Sequence, residues 1–346
     1  MKHAFIFCAV LCFSAPILAE DIVLKTKHPS TYVIKGGDTL WDIASRFLRD
    51  PWRWPDIWHV NPQITNPHLI YPGDQVELTF KDGKPQLVLR RGNSTQDRLR
   101  VVKLSPRVRK KVLERAIPTI PLDAIQQFLS RPNVMTREAI DGSPYILSMQ
   151  DNHLVAGSGD TIYARKIVPG SNTRYSLIRA GDTYKDTVNG KETILGLEAV
   201  YIGEALVNSF GDPTTLTLTA SSREALKGDK LIPAISQELE YNYIPHAPKN
   251  KIDGKIISVV DGVSRIGQYH TVVINRGSEQ GMEKGHVLAI FQSSRSVTDE
   301  KDKKLIRIPD MHAGYLLLFR IFDKVSYALV MRATKEIRLL DAVRNP

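Results

Sequence analysis

The stretch YVIKGGDTLWDIASRFL, residues 32–48, and its return NPHLIYPGDQVEL, residues 66–78, decide how this chain is read. Thr31, Tyr32, Val33 and Ile34 form a short alternating run that predicts a strand. Gly36 and Gly37 turn the chain, and Asp38 or Thr39 stands where a helix needs its N-cap. Leu40, Ile43, Ala44 and Phe47 then recur at helical spacing and make one apolar face. A second short helix is predicted over residues 55–60, with Pro55 suited to its first turn. Asn61-Pro62 ends it. Tyr71-Pro72-Gly73-Asp74 is a turn, and residues 75–78 are a closing strand. The order is strand, helix, helix, strand.

In that order, Tyr32, Val33, Gly37-Asp38-Thr39-Leu40, Ile43-Ala44, Asn61-Pro62, Asn66-Pro67, Leu69, Pro72-Gly73-Asp74 and Leu78 resemble the LysM family of peptidoglycan- and chitin-binding modules. The resemblance implies a shallow groove between two loops, residues 37–40 and 64–70, that holds glycan containing N-acetylglucosamine. It carries the glycan-binding role onto Gly37, Asp38, Thr39, Leu40, Ile64, Asn66, Pro67, Leu69 and Ile70. Main-chain amides and carbonyls there would pair with the acetamido group, and Leu and Ile would meet the sugar face. The link between the helices, residues 50–58, departs from the family by being longer and more aromatic. All four tryptophans lie in this module. Trp41 and Trp58 read as core, since a small domain needs large aromatics to bury enough surface. Trp52 and Trp54 read equally as core or as a surface for sugar or a partner.

Ahead of the module, residues 1–19 have the form of a secretory signal peptide: Lys2, an apolar run, then Ile17-Leu18-Ala19 before the expected cut. The expected address is the periplasm. Both cysteines, Cys8 and Cys12, fall inside this segment, so no disulfide or thiol chemistry is expected of the mature chain. The net charge is +10, and most of it has one location. Residues 81–115 hold twelve Lys or Arg against Asp82, Asp97 and Glu114. Such a run is read as a solvated linker, with at most a short strand at residues 87–89. Export argues against nucleic acid as its partner; anionic wall or lipid groups, or an acidic protein, fit better. Within residues 81–132, a basic helix is expected over 107–115. Residues 117–121 must be extended because of Pro118 and Pro121. A short amphipathic helix is expected over 122–129, packed on its own chain or docking a partner.

From residue 149 onward, short alternating runs separated by Gly, Asp, Asn and Pro predict strands, and the texture suits compact barrels or sandwiches. The expected map is a middle β-rich domain at 133–235 and another at 250–346, giving an α+β, multidomain chain. LTLTASSREALKGDKL, residues 216–231, and ALVMRATKEIRLLDAV, residues 328–343, suggest a diverged duplication. The run from Asn275 to Leu288, with Gly277, Gly281 and Gly285, resembles the C-terminal domain of the flagellar FlgT family. A LysM module followed by such a domain resembles the family of type IV pilus secretin-associated (TsaP-like) proteins. That resemblance implies a non-enzymatic anchor between peptidoglycan and an outer-membrane secretin, with copies arranged as a ring.

No chemistry-bearing constellation competes with this. No two histidines share helical i, i+4 spacing, and none pairs with cysteine, so no metal site is expected. Gly157-Ser158-Gly159-Asp160 opens a strand rather than a helix and is no phosphate loop. Asp299, Glu300 and Asp302 alternate with lysines in a charged loop, unlike a buried glycosidase pair. No catalytic residue, cofactor or metal is assigned. The alternative to the anchor is a regulator or targeting subunit of peptidoglycan hydrolases.

Overall fold

The structure, a computed structural model, describes residues 22–58, 70–90, 117–125, 128, 134–170, 172–188, 190–234, 243–260, 265–293, 296–299 and 301–346. The segment read as a signal peptide and the helix expected over 107–115 lie outside these residues.

The N-terminal module is built from β1 (Thr31–Val33), α1 (Leu40–Phe47), α2 (Trp54–Trp58), β2 (Gln75–Lys81) and β3 (Lys84–Arg90). Thr39, not Asp38, is the N-cap of α1. Its hydroxyl accepts from Asp42 N at 3.1 Å, and Asp42 Oδ2 accepts from Thr39 N at 3.3 Å, a reciprocal capping box. Leu40, Ile43, Ala44 and Phe47 are buried as their spacing requires. They meet Trp54, Ile57, Trp58, Val76, Leu87 and Leu89 in one core. The third strand corrects the reading of residues 81–90 as linker. Asp82 and Gly83 both have positive φ, 50° and 74°, and turn β2 directly into β3. The two strands pair from Gln75↔Arg90 to Lys81↔Lys84.

The middle region runs β4 (Val134–Met135), α3 (Arg137–Gly142), β5 (Tyr145–Met149), β6 (Val155–Ala156), β7 (Thr161–Arg165), β8 (Arg174–Val188), β9 (Lys191–Ser209), β10 (Thr214–Ser221), β11 (Ala225–Leu226) and β12 (Lys230–Pro233). Its seven-stranded sheet has the order β10-β7-β5-β12-β8-β9-β4, and β10 also pairs with β9, so the six strands other than β4 close on themselves. Burial alternates along β7 and β10, one face inward and one to solvent. The far ends of β8 and β9 run on beyond the circuit as a two-stranded arm.

The C-terminal region holds β13 (Asp253–Val259), β14 (Thr271–Ile274), β15 (Val287–Gln292), β16 (Ser296–Thr298), β17 (Leu305–Arg307), β18 (Met311–Ile321), β19 (Ser326–Ala333) and β20 (Ala342–Arg344). Six of these form a closed barrel, β13-β14-β19-β18-β15-β20. Taking the six strands of each circuit in chain order, both circuits have the same neighbours: first with second, second with fifth, fifth with fourth, fourth with third, third with sixth, sixth with first. The turns match as well. Ser222 N and Arg223 N donate to Ile202 O, while Thr334 N and Lys335 N donate to Ala313 O. Asp229 Oδ2 accepts from Leu226 N, and Asp341 Oδ2 accepts from Arg338 N, each at 2.8 Å.

The described helices are short, eight, five and six residues, so the chain is predominantly β rather than α+β. One further apolar cluster joins every part. Trp41 and Trp52 of the module meet Ile120, Ile125 and Phe128, the arm residues Tyr184 and Leu195, and the outer face of the C-terminal barrel at Val273, Leu317, Phe319 and Tyr327. Because the barrel is covered outside as well as filled inside, β14 and most of β19 are buried continuously instead of alternately. Polar links frame this joint. Tyr269 Oη donates to Asp42 Oδ1 at 3.2 Å, Tyr315 Oη donates to Asp50 Oδ1 at 2.8 Å, and Tyr184 and Tyr327 hydroxyls lie 3.0 Å apart. Burial and the neighbouring Asp42 push the Tyr269 phenol up to about 12, so it donates at all ordinary pH. Residues 117–125 and Phe128 thus pack on their own chain. The expected helix starts as a 3-10 turn at Leu122–Ala124.

Candidate functional site

Of the nine residues assigned to the glycan groove, the structure describes Gly37, Asp38, Thr39, Leu40 and Ile70; Ile64, Asn66, Pro67 and Leu69 lie outside the described residues. Gly37 has φ +90°, a left-handed conformation that disfavours other side chains. Asp38 organises the first loop: its Oδ2 accepts from Lys35 N at 2.8 Å and from Tyr32 Oη at 2.9 Å. Thr39 is buried and its hydroxyl is committed to the cap. Leu40 and Ile70 are 1% and 0% exposed, with their side chains in the module core. They therefore present main chain, not apolar side chain, to the groove. The turn at residues 71–74 is pinned beside the end of the first strand, since Ile34 N donates to Asp74 O and Gly73 N donates to Ile34 O.

Those main-chain groups already have partners. Leu40 N donates to Pro118 O at 3.0 Å and Trp41 N donates to Thr119 O at 3.3 Å. Ile70 O accepts from Ile117 N at 2.9 Å. Residues 117–119 thus bridge the two loops. Reading the sequence alone missed this occupant; the only signal was the extended backbone imposed by Pro118 and Pro121.

Trp41 and Trp58 are buried as expected, and Trp54 with them. Trp54 and Trp58 lie in the module core, at 2% and 3% exposure, with their rings edge to face 6.4 Å apart. Trp41 and the partly buried Trp52 face the joint with the barrel. Between module and barrel lies a cleft of about 520 Å³, lined by Arg49, Trp52, Arg53, His312, Tyr315 and Arg332.

A second cluster joins residues far apart in sequence. The side-chain ligand atoms of His246, Glu283 and His286 lie within 4.8 Å of one another. Glu283 N donates to His286 Nδ1 at 3.1 Å, which leaves the proton of the neutral ring on Nε2. His246 Nδ1 lies 3.0 Å from Ile244 O and must donate to it, leaving its Nε2 lone pair free. So bonded, the cluster presents one imidazole lone pair and one carboxylate, a poor donor set for a transition metal.

Comparison with known proteins identifies the module. Residues 32–79 match the LysM domain family. An uncharacterized Bacillus subtilis (strain 168) protein, YqbP, is 40% identical over 60 residues, which cover 14% of this chain and 27% of that protein. The chain thus spans well under half of that relative. Residues 32–79 are a LysM domain, and LysM domains bind peptidoglycan- and chitin-like glycans.

Proposed function

We propose that this chain is a non-enzymatic periplasmic anchor. Its LysM domain binds peptidoglycan glycan, and its β-rich C-terminal region binds an outer-membrane secretin of the type IV pilus kind, in a ring of copies. The observation that carries the glycan half is the LysM match over residues 32–79. The secretin half rests on the resemblance of residues 275–288 to the FlgT-type domain and on the order of the domains. Matching strand circuits and turn hydrogen bonds support an origin of the two β regions by duplication. The form of residues 1–19 supports export. Among the described residues, no helix is long and apolar enough to cross a membrane.

The full-length protein should sediment with purified sacculi and retain that binding at about 0.5 M salt, where exposed ion pairs with the basic run are screened. It should also co-purify with the secretin from detergent-solubilised outer membrane. Sedimentation that vanishes with salt would reassign wall binding to residues 81–115. Failure to retain the secretin would remove the ring. Clearing of a peptidoglycan zymogram by purified protein would overturn the non-enzymatic reading.

A further inference from the structure

At the described edges of the two glycan loops, Leu40-Trp41 and Ile70, main-chain groups are taken by a segment of the same polypeptide. The N–H groups of Leu40 and Trp41 belong to the first turn of α1 and have no partner within the helix. They are satisfied by Pro118 O and Thr119 O, while Ile117 N reaches the opposite loop at Ile70 O. An acetamido group offers one C=O and one N–H. The Ile117–Pro118–Thr119 backbone offers the same kinds of group to the same two loops. The segment is held at both ends by apolar burial. Ile117 enters the core of the LysM domain, and Ile120 and Ile125 enter the joint with the barrel.

We propose that residues 117–120 are a built-in competitor for the glycan groove, so that glycan engages only when this strap lifts away. The proposal rests on the glycan-binding reading of the LysM domain and adds its regulation. Because the strap also fills the joint, wall binding and docking of the domain on the barrel oppose each other. A population shift sets the apparent affinity: it is the intrinsic affinity multiplied by the fraction of molecules with the strap released. One detail shows the docked strap to be imperfect. Thr119 is 0% exposed and its hydroxyl has no hydrogen-bond partner, which disfavours the docked state.

That detail supplies two variants with opposite effects, both outside the groove residues. Ile120→Asp places a charge in the apolar joint and should expel the strap. Thr119→Val keeps the shape, removes the unpaired hydroxyl and should fasten it. Titrating full-length proteins with N-acetylglucosamine pentamer by calorimetry should show Ile120→Asp binding about tenfold or more tighter than wild type. Thr119→Val should bind about tenfold weaker. Hydrogen exchange on the wild type adds a readout that needs no variant: adding the pentamer should speed exchange in residues 117–125. If all three proteins bind equally well, or bound wild type keeps residues 117–125 protected, the strap does not compete and the proposal fails while the glycan reading stands. If none binds, Ile120→Asp included, with its circular dichroism unchanged from wild type, the glycan reading itself falls and the strap proposal with it.

Discussion

Gly314 and Gly203 sit where a paired strand's backbone leaves no room for a Cβ. A Cβ on Gly314 would lie 1.9 Å from Arg332 O, and one on Gly203 2.2 Å from Ala220 O. Both meet backbone, which cannot swing aside as a long side chain could. Gly314→Ala and Gly203→Ala should each cost about 1–3 kcal/mol, read as a lower denaturant midpoint. Unchanged midpoints would show that the strands can part. These two glycines occupy equivalent places in the two circuits. The offset between 216–231 and 328–343 was legible because both stretches end in a turn-capping aspartate. Further back, bulges in the pairing of β9 with β8 and β10, and of β18 with β19, shift the register and hide the correspondence. A second residue-scale expectation concerns acid. Burial, then the neighbouring His246, hold the His286 pKa below its ordinary 6.5, with Glu283 pulling weakly the other way. Below that pH the unfolded chain binds more protons at this site than the native one, so stability falls as the pH drops through about 6.5. His286→Asn keeps an acceptor for Glu283 N and should shrink the loss of melting temperature between about pH 7.5 and about pH 5. An unchanged loss would place the acid-sensitive group elsewhere, with His312, also lowered by burial, the next to test.

Among the elements, β3 shows how one signal masked another. Asp82-Gly83 between two apolar-bearing runs is a hairpin signal, but the run of positive charge around it favoured a linker. The charges sit on the exposed ends and faces, while Gln86, Leu87 and Leu89 are buried. Leu87→Ala should therefore destabilise the LysM domain by about 2–5 kcal/mol. A shift near zero would mean the strand is dispensable. The strands of the β regions were legible because their alternation and turn residues are local. The arm of β8 and β9 was not, because nothing local tells Tyr184 that its hydroxyl will meet Tyr327, 143 residues away. Burial pushes both phenols up, the pairing raising Tyr184 further and pulling Tyr327 back, so they stay neutral hydrogen-bonding partners. Tyr184→Phe leaves the Tyr327 hydroxyl buried without this partner and should cost about 1–3 kcal/mol. The double change to Phe should cost less than the sum of the single ones, and strict additivity in denaturant melts would count against the pairing. Of the groove, the sequence showed the loops but not their occupant, since contacts of a segment seventy-odd residues downstream leave no periodic trace.

At the scale of the molecule, the shared cluster around Phe319 and Tyr327 ties the LysM domain, the arm and the barrel into one unit. Phe319→Ala should lower the unfolding temperature of the LysM domain together with that of the barrel, followed by tryptophan fluorescence for the former and calorimetry for the whole. Two widely separated transitions, with only the later one moved, would mean the parts melt on their own. Closure of the two strand circuits matters in another way. An exposed sheet edge is a template on which any extended chain can be added, the usual route to fibrils and to domain exchange. Here each circuit has its edges joined to one another. Neighbours crowded side by side would find no seam in either circuit to open, and an incoming chain could not lend it a strand. What the closed circuits themselves recognise is met face to face, as one folded surface reading another.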